Sequence, residues 1–477
     1  MGEGIDPRFK SFAGENIFKI DLSEVRWTDD FHGPGSSILE AQELAADAWG
    51  AAKSHFLVNG TSGGVIAAIC AVLGDGDRVI VPRNAHKSAI YGLVISGAEP
   101  VYVAPEIDPD TGLIGGLAPD ALERALEEHG DIKAVFTVSP SYHGVMSDMG
   151  ALAEIAHKNG AVLIADEAHG NHMYFSERLP QGALELGADI VCQSTHKMSG
   201  ALTQASMLHL GPLAARRVDF DKVRANLSMI QTTSPSYILL ASLDMARSYI
   251  ATQGEALLDR VLDALETARK DIAALSGIEL LGRDIVGGAG VADYEPTRLV
   301  VSAKGCGLDG YALFRTLREN YNIECEFADP HWCVCVAGLG TTQAHTEALT
   351  VALTEISREY SGGHNRDGSF CVRSRTQKEP SLLCPTEGAT MPPIPPLRMT
   401  PRKAWFAEKE AVLFGSARGR VSAEMVVPYP PGIPILCPGE VVTDEVYDFL
   451  AEQKRKGRHL HCAAGDGLET LTVVAER

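Results

Sequence analysis

The sequence has no long apolar run and no excess of positive charge. Its longest apolar runs, such as residues 65–73, are far shorter than the ~20 residues of a membrane-spanning helix. The first residues show neither the basic nor the apolar stretch of a secretory signal. The 42 basic residues are outnumbered by 62 acidic ones, for a net charge of −20. We therefore expect no membrane and no nucleic acid as partner, whereas cationic substrates are mildly favoured.

Closely spaced cysteine pairs are also absent. The ten cysteines are scattered, with no Cys-x-x-Cys pair. Cys333 and Cys335 alternate in the strand-like run 332–337, which favours buried small apolar side chains over metal ligands. We expect no metal site, and a reducing cytoplasm fits this cysteine usage best.

Strand-like and helical stretches alternate from residue 54 to about residue 210. The helical ones, such as 117–129 and 149–158, repeat their apolar positions with a period near 3.6. The strands are apolar throughout, which predicts an α/β domain with a mostly parallel sheet covered on both faces. The predicted strands are His55–Val58, Arg78–Val81, Pro100–Val103, Ala134–Val138, Val162–Ala165, Ile190–Gln193 and Ala205–Leu208.

The remaining chain predicts smaller α+β domains on the carboxyl-terminal side. A long helical stretch over residues 236–276 leads to strands near 298–302 and 332–337 and a helix near 346–360. Gly, Ser, Arg and then Pro dominate residues 361–396. The predicted organisation is an amino-terminal linker and dimer segment 1–53, a major domain 54–245, a small α+β domain 246–360, a Pro-rich linker 361–399 and a carboxyl-terminal domain 400–477.

Three predicted strands end in residues that suit a ligand site. Asn59–Gly64 opens a helix with small and hydroxyl residues, which is either a phosphate site or a capped turn. Asp166 ends a buried strand and is either a cleft carboxylate or a helix cap. Lys197 follows a hydroxyl-rich step at the end of a third strand, although most lysines are surface residues.

Together these three strand ends supply an anion site, a carboxylate and an amine at one edge of a parallel sheet. Pyridoxal phosphate needs these groups for its phosphate, its pyridine nitrogen and its imine. The Gly-Lys-Ser/Thr loop of Mg-nucleotide sites is absent, and the first strand–helix turn lacks Gly-x-Gly-x-x-Gly. The combination predicts pyridoxal 5′-phosphate as cofactor.

Six segments carry a resemblance to a known family. The chain resembles the bacterial ornithine/lysine/arginine decarboxylases of the fold-type I (aspartate aminotransferase-like) pyridoxal-phosphate enzymes, and within them the shorter biosynthetic arginine decarboxylases. The segments are Asn59–Ser62, Pro82–Ser88, Asp166–Gly170, Ser194–Lys197, Thr232–Pro235 and Gly419–Glu424, which leads into Pro428–Pro434. The family usually has Pro-Gly-His-Lys directly before the counterpart of Gly2–Pro7. Met1 stands at that place here, so either the start lies too late or the chain lacks this part of the active-site or dimer architecture.

The resemblance implies a role for each matching residue. Lys197 would form the imine with the cofactor, Asp166 would pair with the pyridine nitrogen, and His196 would act in proton transfer. His86 would stack on the ring, Ala168 would pack under it, and His169 would reach the phenolic oxygen. The implied phosphate ligands are Thr61, Ser62 and Ser194, together with Thr232 and Ser234 from a neighbouring subunit, which implies at least a homodimer.

The implied reaction is decarboxylation of a basic amino acid, with arginine to agmatine and carbon dioxide, for polyamine biosynthesis, ahead of lysine or ornithine. Glu326 falls where the family has an acidic residue that faces the distal cation of the substrate, although it also fits a surface carboxylate alternating with Glu324. Arg298 is a candidate clamp for a substrate carboxylate, which keeps a fold-type I aminotransferase as an alternative. A cofactor-binding but inactive regulatory subunit is a second alternative.

Overall fold

A computed structural model describes residues 4–25, 27–288, 290–360, 391–428, 432–456, 458–462 and 467–476. Residues 361–390 of the predicted Pro-rich linker, and residues 429–431 of the Pro428–Pro434 motif, lie outside the described residues. The described part of that linker, residues 391–399, contains neither a helix nor a strand.

The described chain is divided into the following elements. The helices are α1 (Pro7–Ala13), α2 (Glu15–Ile20), α3 (Ser37–Trp49), α4 (Gly60–Val72), α5 (Lys87–Ser96), α6 (Pro119–His129), α7 (Met149–Lys158), α8 (Thr195–Met198), α9 (Phe220–Ile230), α10 (Tyr237–Ala273), α11 (Gly310–Tyr321), α12 (Gln343–Tyr360), α13 (Pro401–Phe406) and α14 (Asp444–Arg455). The strands are β1 (Lys53–Leu57), β2 (Arg78–Pro82), β3 (Glu99–Val103), β4 (Ile132–Val138), β5 (Val145–Met146), β6 (Val162–Asp166), β7 (Ile190–Gln193), β8 (Ser206–Leu210), β9 (Glu279–Leu280), β10 (Asp293–Tyr294), β11 (Arg298–Ser302), β12 (Phe327–Ala328), β13 (Cys333–Val336), β14 (Lys409–Leu413), β15 (Val427–Pro428), β16 (Leu460–His461) and β17 (Thr470–Val474).

The predicted mostly parallel sheet is confirmed. It has seven strands in the order β1-β8-β7-β6-β4-β2-β3. Strand β8 is antiparallel to both of its neighbours, β1 and β7, and the other pairings are parallel. Because β8 alone runs backwards, β1, β6 and β7 point the same way and their carboxyl ends meet at one edge of the sheet.

Both faces of this sheet are buried, which explains why its strands are apolar throughout. In β6, Leu163 and Ala165 join the core on one face, while Val162 and Ile164 join the core on the other face. A strand covered on both faces has no position for a solvated side chain. Exposure to solvent therefore does not explain why the last residue of β6 is an aspartate, Asp166.

The bounds of β1 and β8 differ from the predicted ones. Strand β1 spans Lys53–Leu57 instead of His55–Val58, and β8 spans Ser206–Leu210 instead of Ala205–Leu208. The antiparallel register pairs Lys53 with Leu210 and Leu57 with Ser206, so hydrogen bonding sets both ends together. A hydrophobic pattern contains no information about such pairing.

Helix α10 carries the chain from the large sheet to a second, antiparallel sheet. Leu240 and Leu243 near its start pack in the core under the large sheet, whereas Val261 and Leu265 pack in the core of the small one. The small sheet has the order β12-β13-β11-β9. This arrangement agrees with the predicted α+β character of the segment, while the domain boundaries stay predictions.

The carboxyl-terminal part packs two strand pairs, β14–β17 and β15–β16, around a core of its own. A buried ion pair between Arg83 Nη2 and Glu440 Oε2, 3.3 Å apart, joins it to the segment that follows β2. None of the described helices combines the length and hydrophobicity that a bilayer span requires.

Candidate active site

A cavity of about 550 Å³ opens where β1, β6 and β7 end. Segments at the ends of the large-sheet strands contribute most of its wall, and Glu326 comes from the segment before β12. Its lining residues are Gly60, Thr61, Ser62, Asn84, His86, Ser88, Val138, Pro140, Tyr142, Asp166, Ala168, His169, Ser194, His196, Lys197, Thr203, Gln204 and Glu326. The cavity thus includes every predicted site residue except Thr232, Ser234 and the alternative clamp Arg298.

A cluster of hydroxyl groups lies at the amino terminus of α4. Thr61 Oγ1 is 2.6 Å from Ser194 Oγ, and it donates to Ser206 Oγ at 2.9 Å. The exposed Ser62 side chain borders the same cavity. Gly60 has a φ of +73°, a backbone conformation that residues with a side chain rarely adopt. This conformation lets the chain turn sharply from β1 into the helix. Hydroxyls and free N–H groups at a helix amino terminus form an anion site.

Lys197 lies in the one-turn helix α8, and its amine contacts a histidine. Lys197 Nζ is 2.9 Å from His169 Nε2. Burial lowers the pKa of Lys197, while the charges of Glu326 and Asp166 oppose that shift. The residue is exposed by its overall accessible surface, and its side chain borders the cavity. A less basic lysine amine loses its proton more readily and is then a nucleophile.

His169 is neutral in this environment. Burial, followed by the charge of Lys197, holds its pKa well below the usual range. Its Nδ1 atom is buried and has no hydrogen-bond partner within the described residues. Since Nε2 faces the lysine amine, the other ring nitrogen is the one with unused hydrogen-bonding capacity.

Asp166 is a buried carboxylate with few hydrogen-bond donors. Its Oδ1 accepts from the Ala168 N–H at 3.1 Å. Burial raises the pKa of Asp166, while Lys197 and the Ala168 N–H act in the opposite direction. A carboxylate at this position attracts a further cation or protonated nitrogen, because one N–H donor does not balance its charge.

Two more histidines border the cavity in their neutral forms. His86 caps α5, and its Nδ1 accepts from the Ser88 N–H at 3.2 Å. Burial and the charges of Lys197 and Lys87 lower the pKa of His86 to about 4. The His196 Nδ1–H donates to the Ala205 carbonyl at 2.9 Å, and burial lowers the pKa of His196. A neutral His86 ring suits stacking on a flat ligand.

The two alternating glutamates of the small sheet have different surroundings. Glu326 borders the cavity, whereas Glu324 is bound outside it by Arg318, whose Nε and Nη2 atoms donate at 2.8 and 2.6 Å. Both glutamates are exposed, so the role of Glu326 toward the substrate stays a prediction. Its charge acts on both Lys197 and His196.

Comparisons with known proteins agree with this arrangement. The family description "Orn/Lys/Arg decarboxylase, major domain" matches residues 2–345, and "Orn/Lys/Arg decarboxylase, C-terminal domain" matches residues 388–460. The chain belongs to the Orn/Lys/Arg decarboxylase family. It is therefore a decarboxylase of a pyridoxal-phosphate-dependent, fold-type I family.

Two curated members of the family match the chain over its full length. An arginine decarboxylase of Halalkalibacterium halodurans is 40% identical over 477 residues, which are 100% of this chain and 93% of that protein. An arginine decarboxylase of Bacillus subtilis is 39% identical over 476 residues, with the same coverage of 100% and 93%. The solved structure of lysine decarboxylase A from Pseudomonas aeruginosa has the same fold, with a TM-score of 0.81, 22% identity, and coverage of 98% of this chain and 76% of that one.

The residues of the cavity fit the cofactor of the Orn/Lys/Arg decarboxylase family. The hydroxyl cluster around Thr61 suits a phosphate, and Asp166 suits a protonated ring nitrogen. The buried and unpartnered Nδ1 atom of His169 is consistent with a polar ligand atom close by. These three features lie within one cavity beside the amine of Lys197.

Thr232 and Ser234, the remaining predicted phosphate ligands, do not line the cavity of their own chain. Both are exposed, and the Ser234 N–H donates to Thr232 Oγ1 at 3.1 Å. The Thr232 carbonyl is 2.9 Å from His32 Nε2 in the amino-terminal segment. Their predicted role toward a neighbouring subunit of this decarboxylase stays a prediction.

Arg298, the candidate carboxylate clamp, has a different contact set. Its guanidinium is fully buried, forms an ion pair with Glu295, and donates from Nη2 to the His169 carbonyl at 3.1 Å. Because Arg298 pairs with Glu295 and does not line the cavity, the structure gives no support to its role as a carboxylate clamp. The aminotransferase alternative loses its main support and conflicts with the family.

Sequence analysis missed several residues of the site, among them Tyr142 and Ser206. Tyr142 packs its ring against His169, with centroids 4.9 Å apart, and lies 5.7 Å from Lys197 Nζ. Ser206 completes the hydroxyl cluster. Tyr142 follows the end of β4, so the strand-end rule includes it once applied to that strand. Ser206 begins the antiparallel β8, where no such rule applies.

Proposed function

We propose that this protein decarboxylates L-arginine to agmatine and carbon dioxide. The position of Glu326, in the same cavity as Lys197, is the observation that carries the proposal. A carboxylate there balances the guanidinium of arginine while the α-carbon lies near Lys197. The two relatives at 40% and 39% identity, both named arginine decarboxylases, support arginine over lysine or ornithine.

Some cavity residues would bind the cofactor, and others would control the protonation of its ring. Pyridoxal phosphate, when bound, supplies an aldehyde that condenses with amines and a protonated ring that draws electrons away from the α-carbon. Thr61, Ser62 and Ser194 would hold its phosphate, and Asp166 would keep a proton on its ring nitrogen. His86 would stack on one face of the ring, and Ala168 would pack against the other.

Proton transfer falls to the groups around Lys197. The lysine amine, with its lowered pKa, lies 2.9 Å from His169 Nε2. His196 holds its Nδ1 proton on the Ala205 carbonyl, which leaves Nε2 as the nitrogen able to accept a proton. Lys197 or His196 would return a proton to the α-carbon after carbon dioxide leaves.

We also propose that the protein works at least as a homodimer, in which Thr232 and Ser234 complete the phosphate site of the neighbouring subunit. Their exposure, and their absence from the cavity of their own chain, support this role. A mixture of Lys197→Ala and Thr232→Ala/Ser234→Ala chains, refolded together, would regain part of the activity, since one of the two mixed sites is then intact. No recovery above the two separate variants would rule out the shared site.

A substrate panel tests the reaction. Arginine, lysine and ornithine are incubated separately with the holoenzyme, and the amine product of each is quantified. We expect agmatine from arginine with a kcat/KM at least about tenfold above that for either other substrate, because an ammonium lacks the planar fork of a guanidinium. Equal or faster turnover of lysine or ornithine would contradict the assignment of arginine.

A further inference from the structure

Three cysteines converge beside the small sheet. The Sγ atoms of Cys325, Cys333 and Cys335 all lie within 4.8 Å of one another, and those of Cys325 and Cys335 are 3.5 Å apart. Cys333 and Cys335 are two residues apart on β13, and Cys325 approaches from the segment before β12. The Cys-x-Cys spacing shows only two of these thiols, which is why the sequence favoured simple apolar packing.

The surroundings of this thiol cluster are apolar. Its three cysteines pack with Leu313, Leu349 and other side chains of the small-sheet core. Cys325 and Cys333 are buried, while Cys335 is half-buried, so the cluster has a path to solvent. Among the described residues, no further histidine, cysteine or carboxylate joins the group at the same distance.

We propose that Cys325, Cys333 and Cys335 bind one soft metal ion of the class of Zn²⁺. Thiolates are the ligands that such ions prefer, and three of them leave a fourth coordination position open. Bonds of about 2.3 Å in tetrahedral geometry separate two sulfurs by roughly 3.8 Å, so the present spacing needs side-chain shifts of about 1 Å or less.

The binding reaction is balanced in charge and atoms. Three S–H bonds break, three protons go to solvent, and three metal–sulfur bonds form. Three thiolates and a divalent ion leave one net negative charge, and the fourth position, on the half-buried side of Cys335, takes a water molecule. A disulfide between Cys325 and Cys335 would instead use two thiols and require an oxidant.

The site is joined to the segment that carries Glu326. Cys325 directly precedes Glu326, and the Glu326 N–H donates to the Val334 carbonyl, between the other two cysteines, at 2.8 Å. A metal ion at the thiol cluster therefore holds both strands at the point where Glu326 enters the cavity. The metal site itself does not depend on which amino acid the enzyme uses.

Metal retention by the reduced holoenzyme tests the proposal. The protein is incubated with Zn²⁺, passed over a desalting column with a weak chelator, and analysed for zinc. We expect about one zinc ion per chain, and at least a tenfold loss of retention in Cys335→Ser, the variant least disruptive to packing. Cys70→Ser, which removes a half-buried thiol far from the cluster in sequence, serves as control and should retain zinc.

Titration of the unmodified holoenzyme with Cd²⁺ gives a second readout that needs no variant. Cadmium bound by thiolates adds a sulfur-to-metal charge-transfer absorbance, which we expect to saturate at one equivalent. No such absorbance, or equal zinc retention in Cys335→Ser and Cys70→Ser, would overturn the metal site. A Cys325–Cys335 disulfide in protein kept under reductant would overturn it as well.

Discussion

The two sheets contribute to one cavity in different ways. Residues at the edge of the large sheet are held by their neighbours: Thr61 by two serine hydroxyls, and Asp166 by burial and a backbone N–H. Glu326 comes from a bend beside the small sheet, and its side chain is exposed. In the proposed function, the edge of the large sheet holds the cofactor, while Glu326 beside the small sheet contacts the substrate. Changes in the two regions should therefore alter different kinetic constants.

The largest effect is expected at Lys197. In Lys197→Ala, decarboxylase activity should fall by roughly 10⁴-fold or more, because the nucleophilic amine and its proton are both lost. The visible absorbance band of lysine-bound pyridoxal phosphate, which borohydride removes in the unmodified protein, should be absent. A variant that keeps both the band and appreciable activity would assign the amine to another lysine.

The next largest effect is expected at Asp166. In Asp166→Asn, kcat should fall by about 10²- to 10³-fold, because the ring nitrogen loses the negative charge that favours its protonation. The KM for arginine should change little, since Glu326 and not Asp166 is the proposed partner of the distal cation. A Glu167→Gln variant is an unsuitable control, because Glu167 is buried and bonded to Tyr174 and Gln193. Steady-state kinetics with saturating cofactor provide the measurement.

Much of the large sheet was predictable because its chemistry is local. Apolar runs such as Ile190–Gln193 gave strands with the observed bounds, and polar residues at their ends marked the cavity. The reversed β8 and the shifted ends of β1 were not predictable, because cross-strand hydrogen bonds between residues about 150 positions apart decide them.

The site residues that follow the ends of strands could be predicted from the sequence. His86 was found only through resemblance, since a histidine before a helix otherwise passes for a cap, which His86 also is. The buried pairing of Arg298 with Glu295, and the approach of Cys325 to two later cysteines, depend on how the small sheet folds. No local pattern reports those contacts.

Replacing Glu326 tests the proposed contribution of the small-sheet region to substrate binding. In Glu326→Gln, the KM for arginine should rise by about ten- to a hundredfold with a smaller change in kcat, because a charge-assisted contact to the distal cation is lost. The matched control is Glu324→Gln, whose carboxylate binds Arg318 outside the cavity. Its KM should stay within about twofold of the unmodified protein. An unchanged KM in Glu326→Gln would remove the distal-anchor role.

The smallest expected effect is on the free energy of unfolding. It distinguishes histidines buried in the large sheet from a histidine beside the small sheet. Burial lowers the pKa of His55 in β1 and of His209 in β8 to about 3. The unfolded chain binds these protons near pH 6.5, so each histidine lowers the free energy of unfolding as the pH falls from 6.5 toward 3, by about 2 kcal/mol at pH 5. Urea unfolding at pH 7.5 and pH 5 should show a smaller acid-induced loss in His209→Gln, whereas His345→Gln, an exposed residue beside the small sheet, should keep the full loss. The same loss in both variants would mean that acid destabilises the protein through groups other than His209.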